Sequence, residues 1–272
     1  MGRRLYAYPY HLWTFLFTVV PLALIVYFAF TARDTATFTL DNLQQAAQPV
    51  YLGVLWHSVW LAGVATFLCL LIGYPMAMIL TKSRVRYRRM LTMLIVVPMW
   101  MNFLLRTYAW MTLLEKNGAV NAFLGFLGLP ALHILYTDYA VLLGMVYNFL
   151  PFMILPIYSV LMKMDKSLLE AAADLGADGW TIFRRVTFPL SLPGVYSGTL
   201  MVFMPAVTTF VISRLLGGGQ YMLVGNVIEQ QFLAIGNWNF GSALSVLMMI
   251  LIFLSMIGLS RYDKDSDGGL FL

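Results

Sequence analysis

The chain has 272 residues, of which 61% are hydrophobic and 11% charged, against about 45–50% and about 25% in a soluble globular domain. Soluble domains of this combined length would need far more polar surface, so most of the surface must face lipid. The single cysteine, Cys69, excludes a disulfide scaffold, and the low charge excludes a disordered chain or a basic nucleic-acid-binding domain despite a net charge of +5.

Six stretches are apolar over enough residues to cross a ~30 Å hydrocarbon core, which takes about 20 helical residues. They lie near 11–31, 54–81, 90–114, 137–162, 193–213 and 240–260. The expected fold is therefore all-α and polytopic, six transmembrane helices in a single domain over residues 1–272. Arg3 and Arg4 precede an apolar run to Phe30 that is longer than a secretory h-region, which predicts a retained anchor.

With the N-terminus inside, 13 of the 17 Lys and Arg residues fall on one side of the membrane. These are Arg3, Arg4, Lys82, Arg84, Arg86, Arg88, Arg89, Lys163, Lys166, Arg184, Arg185, Arg261 and Lys264. Cytoplasmic loops carry such an excess, so both termini are expected in the cytoplasm of a multi-pass plasma-membrane protein. On the outer side, residues 32–53 and 214–239 are long enough to hold structure and to form a docking face. Residues 115–136 carry Ala122-Phe123-Leu124 and Phe126-Leu127 among glycines, and predict a short interfacial helix.

The segment 163–192 differs from an ordinary loop. Ser167-Leu168-Leu169-Glu170 fits a capping box and predicts a helix over 168–175, stopped at Gly176 by the residue suited to a left-handed C-cap. Asp178 is placed to cap a second helix, Arg184 and Arg185 suit its last turn, and Pro189 is expected to end it. Leu168, Leu169, Ala172 and Leu175 gather toward one side at helical spacing. A helix this short is marginal alone in water and must be held by packing. Spacing alone leaves two readings open, an amphipathic pair on the inner leaflet or a peg that docks on a partner.

The string Glu170-Ala171-Ala172, three residues, Gly176, nine residues, Val186-Thr187-Phe188-Pro189 resembles the EAA motif of membrane subunits of ABC importers, with Val for Ile and Phe for Leu near its end. Further strings resemble the spermidine/putrescine branch of type I (MetI-like) importer permeases. They are Phe38-Thr39-Leu40-Asp41-Asn42, Pro98-Met99-Trp100, Arg106-Thr107-Tyr108, Asp174-Leu175-Gly176-Ala177, Gly225-Asn226-Val227-Ile228 and Gln231-Phe232-Leu233. The resemblance implies a second, PotC-like permease, two ATPase subunits that hold ATP and Mg, and an external substrate-binding protein. It also places Glu170, Ala171, Ala172, Asp174, Gly176 and Pro189 in a coupling helix set into a groove of the ATPase.

The chain itself contains no Gly-Lys dipeptide and hence no phosphate-cradling Walker loop. His11, His57 and His133 are scattered, so neither a metal site nor a catalytic constellation is expected, and the reading is of a transport subunit without a cofactor of its own. A pathway for a polyamine needs acceptors for ammonium groups and aromatic faces for charge and methylene chain alike. Trp100 and Tyr108, near Pro98 in the third span, supply aromatic faces, with Trp110 close by. Pro205 and Thr208 mark a kinked, partly polar fifth span, and Glu229 is an outer carboxylate. Each has a plainer alternative: Trp100 as helix packing, Glu229 as a solvated loop acid, and Gly194 with Gly198 as a small-xxx-small packing pair. Arg106, near the outer boundary, is expected to snorkel or to pair with a carboxylate. An importer of another small solute, a gradient-driven carrier working alone and a non-transporting scaffold are the competing functions.

Overall fold

In the computed structural model, residues 8–260 are described apart from 34, 36, 220 and 221. Arg3, Arg4, Arg261 and Lys264, which carry part of the charge bias, lie outside the described residues. Pro9–Ala29, Pro49–Lys82, Asp138–Lys163, Gly179–Thr208 and Trp238–Gly258 are long and apolar enough to cross a membrane. Val85–Trp100 and Phe103–Phe126 pass the same test together but are bent by 97°, which makes six spans if the pair is one. Among the described residues no strand accompanies them, only an isolated bridge between Thr31 and Phe38.

Three elements depart from expectation. The third span is broken after Trp100, not continuous over 90–114, because Met101 is extended and the Asn102 side chain accepts the Leu104 N–H (2.8 Å) as a fresh N-cap. Pro98 sits inside the first half, and the basic residues from Arg86 onward form helical turns, not loop. The fifth span begins at Gly179, well before residue 193, and runs through Pro189.

The chain divides into two compact units, Met1–His57 with Leu223–Leu254, and Ser58–Met222 with Ser255–Leu272. In the first, Ala29, Ala46, Phe240, Ala243 and Leu244 form a core in which small residues let helices meet closely. Tyr51 packs edge-on against Phe240 at 4.9 Å. The carbonyls left at the end of the helix closing at Ala29 are taken up by two amides. Asn42 Nδ2 donates to Thr31 O (2.9 Å), and Asn239 Nδ2 donates to the same carbonyl (2.8 Å) and to Phe28 O (3.2 Å). Within the expected stretch 32–53 the helix Asp41–Ala46 is formed.

The second unit is organised around Asp138–Lys163, whose buried positions, among them Val141, Met145, Asn148, Met153, Ile157 and Leu161, recur at helical spacing. The fifth span lies against it at backbone distance. A Cβ on Gly194 would stand 3.0 Å from both Ile157 Cα and Pro156 O, and one on Gly198 2.8 Å from Met153 Sδ. A Cβ on Gly73 of the second span would stand 3.1 Å from Met153 Cγ, so this methionine is held between two glycines. Beyond Thr208 the helix Val211–Leu216 follows, where Tyr136 N–H donates to Leu216 O at 2.8 Å. The expected short helix in 115–136 is Ala119–Phe126. Buried Asn121 ties it down, donating to Glu115 O and Leu132 O and accepting from Leu132 N, while Phe123 and Phe126 stay exposed.

Candidate functional site

The fourth span ends at Lys163, and the chain turns at Met164 into the helix Lys166–Asp174. Its cap is Asp165, two residues ahead of the expected Ser167, because the Asp165 carboxylate reaches the Ser167 N–H at 2.9 Å. The start is therefore an Asp cap and not the Ser167–Glu170 box. The other end follows the sequence reading. Gly176 is left-handed at φ +82°, its N–H donates to Ala173 O (2.9 Å), and Ala177 N–H donates to Ala172 O (3.1 Å). These two bonds make a Schellman closure, so the helix of nine residues is fixed at both ends.

Asp178 then caps Gly179–Ile182, accepting from the Thr181 N–H and hydroxyl. Pro189 does not end this helix. The π-helical turn Phe183–Thr187 shifts the hydrogen-bond register immediately before Phe188–Thr208, where proline occupies the first turn and its missing N–H and its ring are accommodated. The cap at Asp178 thus belongs to the fifth span itself, continuous to Thr208.

The four apolar residues grouped together by spacing are divided by the fold. Leu169 and Ala172 are half-buried toward the protein, whereas Leu168 and Leu175 are exposed, Leu175 to 90%. Ala171 lies on the exposed side with them, and Glu170 and Asp174 are also exposed. The short helix therefore presents an apolar strip with acidic flanks outward. Behind it is a cavity of about 630 Å³, bounded by Leu169 and Glu170 on the helix, Met78, Arg88 and Met162 near the ends of the second, third and fourth spans, and Phe183 on the fifth.

A side-chain cluster absent from the sequence reading links the segment to the spans. Tyr74 packs against Phe183 and Phe188, both at 5.8 Å, and Trp180 stacks on Phe183 at 5.5 Å. Ser191 Oγ donates its proton to Phe188 O (2.8 Å), so the Tyr74 hydroxyl is the donor in the buried 2.8 Å bond to Ser191. Tyr74→Phe removes that donor and leaves the Ser191–Phe188 bond intact. The expected loss is about 1 kcal/mol of thermal stability in detergent, against a clearly larger loss in Tyr74→Ala, which also removes the ring; equal loss in both would assign the cluster's worth to the hydroxyl.

Both caps are carboxylates held below their usual range, Asp165 chiefly by the Ser167 N–H and Asp178 chiefly by the Thr181 hydroxyl. A lowered folded-state pKa means that the stabilisation is complete above the ordinary Asp value of about 4 and is lost as pH falls through the lowered one. Hydrogen-exchange protection in Lys166–Asp174, corrected for intrinsic rates, is expected to fall in that window. Asp165→Asn caps without titrating and should flatten the dependence.

The residues assigned to a substrate pathway lie on four separate helices. Trp100 ends one half of the broken span and is 83% exposed, while Tyr108 lies on the other half. Pro205 and Thr208 are one turn apart near the end of the fifth span, where the Thr208 hydroxyl donates to Met204 O (3.1 Å). Glu229 closes Val224–Glu229 in the other compact unit and is half-buried. Trp110 is engaged with the Tyr147 ring at 5.2 Å. Arg106 is buried near the Phe103 ring (6.0 Å), and its Nε has no hydrogen-bond partner among the described residues. Asn148 is a further buried polar side chain, whose Oδ1 has no partner among the described residues while Nδ2 donates to Gly144 O (2.8 Å). Among the described residues no group of His, Cys, Asp and Glu is arranged to hold a metal ion.

The chain thus combines helices long and apolar enough to cross a membrane with a short capped helix outside them. The chain belongs to the family of binding-protein-dependent transport system inner membrane components, whose model matches residues 69–263. It is 44% identical over 254 residues to the spermidine/putrescine transport system permease protein PotB of Haemophilus influenzae, covering 89% of this chain and 88% of that one. With the protein of the same name in Escherichia coli K12 it shares 42% over 252 residues, covering 90% and 92%. Among solved structures, a bacterial ABC transporter that imports the acidic polysaccharide alginate matches at a TM-score of 0.82 and 16% identity, covering 97% of this chain and 96% of that one. The inward-facing MetNI methionine ABC transporter matches at 0.60 and 19%, covering 82% and 100%. These structural likenesses establish the importer-permease fold. Family membership makes the chain a transport component, not an enzyme, and removes the solitary gradient-driven carrier from consideration.

Proposed function

We propose that this chain is the membrane-spanning permease subunit of an ATP-driven importer for polyamines, spermidine or putrescine. The observation that carries the substrate class is identity of 42–44% with spermidine/putrescine permeases across about nine-tenths of the chain. It forms the pathway with a second, PotC-like permease, receives cargo from an external binding protein and is driven by two ATPase subunits, which hold the ATP and Mg. Both termini are cytoplasmic, a reading supported by the side on which the Lys and Arg residues gather.

Coupling runs through Lys166–Asp174. Leu168, Ala171 and Leu175 seat in the ATPase, with Glu170 and Asp174 flanking them, while Gly176 holds the C-terminal closure. Because Pro189 lies within one continuous helix from Gly179 to Thr208, displacement of this segment is carried directly into the fifth span. ATP can shift the spans only through contacts that differ between the two states, and a short helix rigid at both ends transmits such a difference without bending.

Uptake of labelled spermidine and putrescine into reconstituted vesicles that hold ATP inside and the binding protein outside, with competing solutes, tests the reading. Competition by polyamines alone is the expected result; competition by an unrelated solute would reassign the importer. In the pathway, Trp100→Ala is expected to change the concentration dependence of uptake while complex assembly is retained, and unchanged kinetics would exclude Trp100.

A further inference from the structure

We propose that the cavity behind the short helix binds the phosphate headgroup of an anionic phospholipid. The cavity lies where the spans end: Lys82 is the last residue of Pro49–Lys82, and Met162 stands next to the closing Lys163 of the fourth span. This is headgroup depth for helices that cross the bilayer.

Three cations face the cavity, Lys82, Arg88 and Lys166, each from a different helix, against the single carboxylate of Glu170. No ion pair among the described residues engages the three. Arg88 is half-buried, and the hydrogen bond it donates goes to the thioether sulfur of Met162 at 3.3 Å. Sulfur is a weak acceptor for a guanidinium whose planar donors match a phosphate. A polyamine would meet an excess of like charge here.

The deeper wall is of another character. Met78 lies one helical turn into the membrane from Lys82, and Phe183 borders the same space. A free phosphate ion has nothing to place against these side chains, whereas a phospholipid brings acyl chain and phosphate together. At about 630 Å³ the space falls within the ordinary range of small-ligand pockets. Since Leu169 and Glu170 form one wall, a bound lipid braces the short helix against the span ends; this consequence rests on the coupling role proposed above, but the binding does not.

The full chain, purified with its partner subunits in micelles containing both phosphatidylglycerol and phosphatidylcholine, is examined by native mass spectrometry for retained lipid. Preferential retention of phosphatidylglycerol is expected, reduced about fivefold by Arg88→Gln and further by Lys82→Gln and Lys166→Gln together with it. Arg88→Lys, which keeps the charge but loses the planar fork, should retain more than Arg88→Gln and less than the unaltered protein, and Arg89→Gln, off the cavity wall, should leave it unchanged. Melting temperatures recorded alongside identify any variant that has lost its fold, and the charge-preserving Arg88→Lys then decides. Equal retention of the two lipids, full retention by the triple variant, or displacement of the lipid by inorganic phosphate would overturn the proposal. Lipid retention does not depend on how the short helix meets the ATPase, so failure of the coupling role leaves this result readable.

Discussion

Gly176→Val is expected to leave the chain inserted in the membrane while sharply reducing ATPase retention and ATP-dependent uptake. At φ +82° a β-branched side chain meets its own backbone, a penalty of about 1–2 kcal/mol. Relief requires Gly176 to leave the left-handed region, which breaks the bonds from Gly176 to Ala173 and from Ala177 to Ala172. The exposed strip of Leu168, Ala171 and Leu175 then loses its fixed geometry, though none of these residues has been changed. A Cβ at position 176 would touch nothing within 4 Å, so the effect is conformational and not steric against a neighbour. Gly176→Asn, which tolerates the left-handed region better, should restore much of the loss. ATPase copurification and vesicle uptake measure it, and wild-type values for the valine variant would refute the rigid-helix account.

Gly194→Val is expected to act in the opposite place, on folding instead of coupling. Its Cβ would stand 3.0 Å from Ile157 Cα and from Pro156 O, both backbone atoms that no rotamer change can move aside. The fourth and fifth spans would have to separate, and with them the Met153 contact at Gly198. Overpacking of this kind costs about 1–3 kcal/mol or more. In detergent the variant should aggregate at markedly lower temperature and yield little folded protein, with Gly194→Ala intermediate. A melting temperature unchanged by valine would show that the two helices are not apposed in the membrane as described.

Much of the architecture was legible because lipid imposes a simple rule on the sequence: a span must be apolar for its whole length and must satisfy its own backbone. That rule located the first, second, fourth and sixth helices close to their observed limits. It failed at the third, where an extended Met101 and the Asn102 cap turn the chain by 97° within a stretch whose composition does not change. It failed again at Pro189, because a π-helical turn is set by how the backbone packs and leaves no mark on hydropathy. The same division runs through the candidate site. The closure at Gly176 could be read from one residue type, since only a residue tolerant of positive φ serves there, whereas the choice of Asp165 over Ser167 depended on which oxygen reaches an N–H first.

By itself, then, the amino-acid sequence determined a multi-pass helical protein, the position of the short helix between the fourth and fifth spans, and the likeness to importer permeases, because hydropathy, capping residues and motif spacing are local properties. Only the tertiary structure decided which face of that helix points outward, that Tyr74 meets Ser191 across 117 positions, and that Lys82, Arg88 and Lys166 surround one cavity. Those outcomes depend on which helices become neighbours, and neighbours are chosen by the packing of Gly73 and Gly198 around Met153 and of Gly194 against Pro156 and Ile157, a fit that no single segment encodes.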